Sequence, residues 1–224
     1  MSADVAPARE LDLALMIADL SGYTALTESH GALKASETVL RFVRLAKSCL
    51  DPGVAFVNSI GDDVFCAGPD ALAVVRSALR VREAVAREAE FPRVRTGVHR
   101  GLVVEREGRL FGAPINLTAR LAAHASGGQI LCSEPIARAA SAFADVEPRS
   151  IGARRFKNVV QPIEVFELVR ANERRAAAAI DPVCRMQVAP ERAVATMAHR
   201  GVTYSFCSPE CGRAFAANPE AYVA

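Results

Sequence analysis

The sequence predicts an α+β fold, because segments with the apolar pattern of a β-strand alternate with segments that have the period of a helix. Residues 13–18 are apolar on both faces, as in a strand that is covered on both sides. Residues 31–50 and 71–89 carry apolar stripes at helical spacing. Several strands also follow one another directly as hairpins, which favours a sheet with helices packed against it.

The composition is that of an ordinary globular protein. A chain of 224 residues with 51% apolar residues can bury a core and suggests one or two domains. The net charge of +2 and the absence of a Lys/Arg block give no support for binding nucleic acid or an anionic membrane. Residues 1–10 lack the apolar core of a signal peptide, and no apolar run is long enough for a membrane span. We therefore expect a cytoplasmic protein.

The first strand ends at an acid. Asp19 follows the apolar run, and Ser21 and Gly22 then form a turn. A carboxylate at a strand end beside a flexible turn can hold a cation without being fully buried. The alternative is that Asp19 caps the turn or the next helix.

The first predicted helix stops at 51–53, and a strand, a tight turn and a returning strand follow up to Phe65. This hairpin carries Asp62 and Asp63. If Asp62 lies beside Asp19, the two carboxylates form the pattern that holds Mg²⁺ together with substrate phosphates. The alternative is an ordinary surface hairpin.

The next segments lead to a helix with polar residues on one face. After the helix at 71–89, we expect strands 94–99 and 102–105 to pair around a turn at 100–101. Pro114 then marks the start of a helix in which Asn116 and Arg120 are four residues apart. An amide and a guanidinium on one face can both contact a phosphoryl or ribosyl oxygen, although a solvated face is the common alternative.

The remaining segments complete the predicted domain. We expect a turn at 127–128, a strand at 129–132, a helix at 134–143 and two strands near 151–156 and 163–169. The composition then divides the chain into a tail, a large domain, a linker of helix formers without an apolar stripe, and a small Cys-containing domain. The corresponding ranges are 1–10, 11–170, 171–180 and 181–224.

The large domain resembles the class III nucleotidyl cyclase catalytic domain. The family's Asp-x-x-Gly-[Phe/Tyr]-Thr segment is matched at 19–24, its Gly-Asp hairpin at 61–62 and its Asn-x-x-x-Arg helix at 116–120. Its Gly-[Ile/Val]-His-x-Gly signature is matched at 97–101. The closing Lys-Gly pair has Asn158 in place of Gly. The resemblance implies a ferredoxin-like core and attack of a ribose 3′-oxygen on the α-phosphorus of a nucleoside triphosphate.

The resemblance also assigns roles to residues. Asp19 and Asp62, with the carbonyl of Leu20, would hold two Mg²⁺ or Mn²⁺ ions at each active site. Asn116 would orient the ribose, and Arg120 would stabilise charge on the α-phosphoryl group.

Lys157 would meet the terminal phosphates. Because the two halves of each site in this family come from different subunits, a single catalytic domain implies a homodimer with two interfacial active sites.

The base pocket departs from the family pattern. Adenylate cyclases of this class usually carry Lys and Asp at the positions of Asn58 and Arg109. Arg donates only, which suits the carbonyl of a keto base in GTP or UTP, and Asn58 can accept from the neighbouring ring N–H. The family pattern, in contrast, favours ATP, and both kinds of base therefore stay open. A further alternative is that Arg109 points to solvent and selects no base.

The small domain contains Cys184, Cys207 and Cys211, and its sequence resembles a YHS domain of the heavy-metal type, with Arg185 where that family usually has Gly. Three thiolates can converge on a soft metal ion such as Zn²⁺ or Cu⁺, and His199 is a weak candidate for a fourth ligand. A disulfide and buried apolar cysteines are the alternatives. Three other cysteines lie singly in apolar segments and are assigned to the core, namely Cys49, Cys66 and Cys132.

Three hypotheses about function follow. The favoured one is an active nucleotidyl cyclase that a soft metal regulates through the YHS domain. The alternatives are an inactive cyclase-like nucleotide-binding or dimerisation module, and a metal-binding protein with a cyclase-like scaffold.

Overall fold

The strand that ends at Asp19 lies inside an eight-stranded sheet. The structure, a computed structural model, describes residues 7–171 and 179–223. Most of the predicted tail and of the predicted linker lies outside these residues. The strands of the sheet are β1 Arg9–Leu20, β2 Ala55–Ile60, β3 Asp63–Gly68, β4 Val94–Arg106, β5 Arg109–Phe111, β6 Ile130–Ser133, β7 Val146–Arg154 and β8 Ile163–Arg170. Their order is β2-β3-β1-β4-β6-β8-β7, with β5 paired to β4, so the predicted α+β class is confirmed.

Four helices cover the sheet. They are α1 Tyr23–Ser48, α2 Ala71–Arg87, α3 Ala113–His124 and α4 Glu134–Ala140. On β1, Met16 belongs to the core formed with α2 and α4, whereas Ile17 faces the core that includes α3. The continuous apolar run of β1 is therefore explained by helices on both faces of the sheet.

Helix α1 begins earlier than the sequence pattern indicates. It starts at Tyr23, directly after Gly22 in the left-handed conformation at φ 91°. Gly31, the expected first residue, instead interrupts the helix with φ 81° and ψ 164°. Phe42 and Ala46, after the break, pack on the sheet, whereas Leu26, before it, is buried in the core of the small domain.

Residues 94–106 form one continuous strand, so the expectation of a turn at 100–101 was wrong. Gly101 pairs with Leu13 across β1 and β4. A Cβ atom at Gly101 would lie 2.7 Å from Pro114 Cγ, so glycine is present here because α3 approaches the strand closely. The uninterrupted pairing of β1 with β4 fixes the relative positions of the strand ends on which the candidate site lies.

Gly97 makes a still closer contact with α3. A Cβ atom there would lie 2.3 Å from the carbonyl oxygen of Thr118 and 2.4 Å from the backbone nitrogen of Ala122. Because backbone atoms cannot move aside cheaply, we expect Gly97→Ala to lower the free energy of unfolding by about 3 kcal/mol. Urea unfolding followed by circular dichroism measures this change. An unchanged midpoint would contradict the close packing of α3 on β4.

Within residues 179–223, the small domain is built from two hairpins, one α-helix and two single-turn 3-10 helices. Its elements are β9 Ala179–Ile180, β10 Gln187–Val188, β11 Ala195–His199, β12 Val202–Phe206 and α5 Pro209–Ala217. Phe206 and Phe215 are buried in its core, together with Leu26 and Ala35 of α1. The core of the small domain is thus completed by α1 of the larger domain.

Backbone contacts add to this interface. The N–H of Gln187 donates to the carbonyl of Phe91, and its side-chain amide donates to the carbonyl of Val85.

No helix in residues 7–171 or 179–223 is long and apolar enough to cross a membrane.

Candidate active site and metal centre

Three carboxylates meet where β1 ends. Asp19 is opposite Asp63 in the pairing of β1 with β3, and Asp62 lies in the turn that joins β2 to β3. These residues line a cavity of about 300 Å³ together with Leu20 and Arg95. The β2–β3 hairpin has therefore brought Asp62 beside Asp19.

The electrostatics of the cavity reflect this crowding. Burial raises the pKa of Asp62 to about 6, and its hydrogen bond to Asp19 and the charge of Asp19 contribute. Burial also raises the pKa of Asp19, which is only 7% exposed, against the opposing effects of Asp62 and Arg95. Arg95, on β4 opposite Asp19, forms an ion pair with that carboxylate. The sequence analysis did not identify Arg95 as part of this site.

The donor set fits a hard divalent cation. Two carboxylates close enough to share a hydrogen bond, with the Leu20 residue lining the same cavity, offer the oxygen ligands that Mg²⁺ and Mn²⁺ prefer. A cation between Asp19 and Asp62 would replace the shared proton and relieve their repulsion.

The residues expected to contact the substrate lie elsewhere on the same domain. Asn116 and Arg120 are both on α3; Asn116 is exposed and Arg120 half-buried. Neither is among the residues that line the cavity at Asp19. One chain therefore separates the candidate cation ligands from the candidate phosphate and ribose contacts.

The other three candidates are exposed as well. Asn58 follows a β-bulge in β2, Arg109 is the first residue of β5, and Lys157 lies in a turn. Asn158 adopts φ 60°, which explains why the family has Gly at this position and why Asn, which tolerates the left-handed region, can replace it.

A second cluster lies between the two domains. Cys184 Sγ is 3.4 Å from Cys207 Sγ, and Cys207 Sγ is 3.9 Å from Cys211 Sγ. His30 Nε2, from α1, is 3.6 Å from the sulfur of Cys207 and 3.6 Å from that of Cys211. The four ligand atoms all lie within 4.8 Å of one another. The sequence analysis identified the three cysteines but missed His30.

His199 is not part of this cluster. Its Nε2 is 3.1 Å from Glu220 Oε1, and its ring meets Phe215 edge to face. All six cysteines are free thiols. Hydrogen bonds with Cys184 and then Cys207 lower the pKa of Cys211, so the cluster favours a thiolate at that residue.

A buried aspartate holds the cysteine-bearing loops. Asp181 is fully buried, and its Oδ1 accepts hydrogen bonds from the backbone N–H groups of Val183 and Cys184. Its Oδ2 accepts from the N–H of Cys207. Asp181 therefore fixes two thiol-bearing segments relative to each other, a role that its position before Pro182 did not reveal.

Comparisons with known proteins agree with both parts of the structure. The YHS domain family matches residues 179–224. The chain is 30% identical over 170 residues to the pH-sensitive adenylate cyclase MT1302 of Mycobacterium tuberculosis, covering 75% of this chain and 42% of that protein. It is 34% identical over 122 residues to an adenylate cyclase of Streptomyces griseus, covering 54% and 31%. The chain thus spans less than half the length of these curated relatives.

A solved structure extends the comparison. The adenylate/guanylate cyclase/hydrolase from Silicibacter pomeroyi superimposes with a TM-score of 0.66 at 26% identity, over 73% of this chain and 99% of that one. The larger domain is therefore a class III nucleotidyl cyclase domain. In this chain it is followed by a YHS domain, as the sequence predicted.

Proposed function

We propose that the chain is an enzyme that converts a nucleoside triphosphate to a 3′,5′-cyclic nucleotide and pyrophosphate. The single observation that carries this proposal is the convergence of Asp19 and Asp62 in one cavity at the end of β1. A structural role alone does not account for two adjacent, partly buried carboxylates, because burial and then the neighbouring Asp19 raise the pKa of Asp62, so the pair is costly to keep ionised. The match to relatives described as adenylate cyclases supports the same reaction.

The residues divide the work between charge and position. Asp19, Asp62 and the Leu20 carbonyl would hold two divalent ions, which supply charge neutralisation and lower the pKa of the ribose hydroxyl. Asn116 orients the ribose through its amide, and Arg120 donates to the α-phosphoryl oxygens as negative charge develops there.

Lys157 contacts the terminal phosphates as a mobile cation. Little covalent chemistry is required of the protein, because the attacking oxygen and the leaving pyrophosphate belong to the same substrate.

The active form is a homodimer in this proposal. Asn116 and Arg120 do not line the cavity that holds Asp19, so a second copy is the natural source of the missing half of each site. Apolar residues on the same domain are well exposed and are suited to an interface, among them Ile60 at 74%, Leu102 at 64% and Phe111 at 50%.

The proposal is tested by incubating the purified chain with each of ATP, GTP, CTP and UTP and with Mg²⁺ or Mn²⁺. Chromatography with mass detection identifies a cyclic product. A 3′,5′-cyclic nucleotide from at least one triphosphate is expected. Nucleotide binding without any cyclic product would instead support an inactive nucleotide-binding module.

Base selectivity depends on Asn58 and Arg109 in this proposal. Both side chains are exposed, so both are accessible to a base. The double variant Asn58→Lys with Arg109→Asp restores the donor and acceptor of the adenine-specific pattern. We expect it to raise the preference for ATP over GTP and UTP by about tenfold or more, since one well-placed hydrogen bond contributes about 1.5 kcal/mol.

Competition among the four triphosphates measures that preference. The matched control is Asn58→Lys alone, which adds a donor without the acceptor and should shift the preference less. An unchanged preference in the double variant would contradict the assignment of these two residues to the base pocket.

The YHS domain binds a soft metal ion in this proposal. Cys184, Cys207 and Cys211 are free and close together, and thiolates are the ligands that such ions prefer. Its contact with α1 gives a bound ion a physical route to the cyclase domain.

A further inference from the structure

We propose that His30 of the cyclase domain is the fourth ligand of a tetrahedral metal site completed by Cys184, Cys207 and Cys211 of the YHS domain, and that the ion locks the catalytic turn at Asp19 in place. The site belongs to neither domain alone. It would take a divalent ion with tetrahedral preference, and Zn²⁺ meets that requirement.

The distances match a tetrahedron around one ion. Zinc–sulfur bonds of about 2.3 Å place two sulfurs about 3.8 Å apart, and a zinc–nitrogen bond of about 2.05 Å places the nitrogen about 3.6 Å from each sulfur. The sulfur of Cys207 is 3.4 Å from that of Cys184 and 3.9 Å from that of Cys211. His30 Nε2 is 3.6 Å from the sulfurs of Cys207 and Cys211. Four of the six separations thus match those around one ion, and the other two, from Cys184 to Cys211 and to His30, are within 4.8 Å.

The position of His30 is not explained by hydrogen bonding alone. Its Nε2 lies equally far from the sulfurs of Cys207 and Cys211, whereas one ring nitrogen makes one good hydrogen bond. Cys184 and Cys211 are buried, so the ligand set is shielded from competing water. A closed set of three thiolates and one imidazole is the composition of a structural zinc site.

The ligand lies on the helix that starts at the catalytic turn. His30 is the last residue before the break at Gly31, so the segment from Tyr23 to His30 is a short helix with the turn at one end and the metal ligand at the other. Tyr23 lines the cavity of Asp19 and also packs against the core of the YHS domain.

The YHS domain contacts the turn directly as well. A Cβ atom on Gly22, which lines the cavity of Asp19, would lie 2.5 Å from Cβ of Arg185. Arg185 adopts φ 65°, the left-handed conformation that explains the usual Gly of the family. Its side chain therefore rests on the catalytic turn, one residue after the metal ligand Cys184.

These contacts predict a coupling between the two metal sites. An ion that holds His30 to three YHS thiols restricts the short helix and hence the turn that carries Asp19. By linkage, the same ion then changes the affinity of the Asp19 cavity for its own cations. This second part rests on the proposed function, whereas the ligation by His30 does not.

The ligation is tested on the full chain with Zn²⁺ as the probe and a chromophoric chelator as competitor. Replacing a residue that only supports the ligands of a zinc site typically costs about 10- to 100-fold in affinity. Because His30 is itself a ligand in this proposal, we expect His30→Gln to weaken Zn²⁺ binding by more than about 100-fold. The matched control is His199→Gln, a histidine within the YHS domain that pairs with Glu220 and should leave the affinity within a fewfold of the wild type.

A rescue variant excludes a mere folding defect. His30→Cys offers a thiolate in place of the imidazole and should recover most of the affinity lost in His30→Gln. X-ray absorption of the zinc-loaded wild type should show three sulfurs and the scattering of one imidazole. Equal Zn²⁺ affinity in His30→Gln and wild type, or a zinc environment without imidazole, would overturn the assignment of His30.

The coupling is tested by Mn²⁺ binding, followed by electron paramagnetic resonance. Mn²⁺ prefers oxygen ligands, so its binding reports on the carboxylates, and Asp19→Ala identifies the signal of this cavity. We expect zinc-loaded wild type to bind Mn²⁺ about fivefold or more tightly than the zinc-free chain, and His30→Gln to lose this difference.

Equal Mn²⁺ affinity with and without zinc would contradict the coupling while leaving the ligation intact. A failure to form cyclic product would contradict the proposed reaction alone, because neither metal-binding measurement depends on turnover.

Discussion

Replacing Asp19 or Asp62 by Ala should lower cyclic nucleotide formation by about a thousandfold or more. Removing one preorganised electrostatic contact typically costs about 100- to 1000-fold, and loss of a cation ligand should reach or exceed that range. Among the described residues that line the cavity, three are acids, Asp19, Asp62 and Asp63, and Arg95 opposes cations, so losing one acid leaves too little negative charge for two divalent ions. Without the cations, the triphosphate charge stays uncompensated. Turnover is measured with the preferred triphosphate at saturating Mn²⁺.

Asp12→Ala is the matched control for this prediction. Asp12 lies on the same strand and pairs with Arg100 of β4, as Asp19 pairs with Arg95, but it lies seven residues from the cavity and is half-exposed. Its loss should lower the free energy of unfolding by less than about 1 kcal/mol, as for other exposed ion pairs, and should leave turnover nearly unchanged because Asp12 does not line the cavity. Near-normal turnover in Asp19→Ala or Asp62→Ala, with the fold intact, would rule out their role as cation ligands.

Mixing the Asp19→Ala and Arg120→Ala variants should restore activity that neither has alone. If each site combines the acids of one chain with α3 of the other, a mixed dimer contains one complete site and one site that lacks both groups. Random exchange makes half of the dimers mixed, so recovery of about a quarter of the wild-type turnover is expected.

The mixing experiment needs proof that subunits exchange. Two differently tagged variants, purified in sequence over both tags, supply mixed dimers whose turnover should be about half that of the wild type. A mixed dimer without activity would show that each site is built within one chain. Arg120 with Asp19 is the informative pair, since the described residues that line the cavity include none from α3.

The fold was largely predictable because its signals are local. The apolar run of β1, the glycine of the β2–β3 turn and the stripe of α2 each reflect packing within a few residues of the chain. The exceptions have a common cause. Gly101 suggested a turn, but it permits close approach of Pro114, and Gly31 suggested a helix start, but it interrupts a helix. A glycine indicates either an unusual backbone conformation or a close approach of neighbouring atoms, and the sequence alone does not distinguish the two.

The site was predictable only where motifs carry it. Asp19 and Asp62 stand in recognisable segments, and the pairing of β1 with β3 brings them together. Arg95 and His30 lie in segments that lack the residue spacing of a metal-binding motif. His30 contacts Cys211, which is 181 residues away in the sequence. A ligand supplied by another domain leaves no local pattern, so a lone histidine on a helix gave no reason to prefer it over His199.

The contact of α1 with the YHS core has a consequence for biosynthesis. Leu26 is fully buried in that core, yet the residues that cover it follow it by more than 150 positions. At a translation rate of about 5 to 20 residues per second, the 181 residues between His30 and Cys211 take roughly 10 to 40 s to be made. Strands β1 to β4 can pair early in that interval, and β8 is made only near its end. Throughout, the helix beside the Asp19 turn still presents an apolar side to water. A ribosome-bound chain at this stage therefore offers a binding surface to chaperones next to the Asp19 turn, and synthesis of the YHS domain removes it.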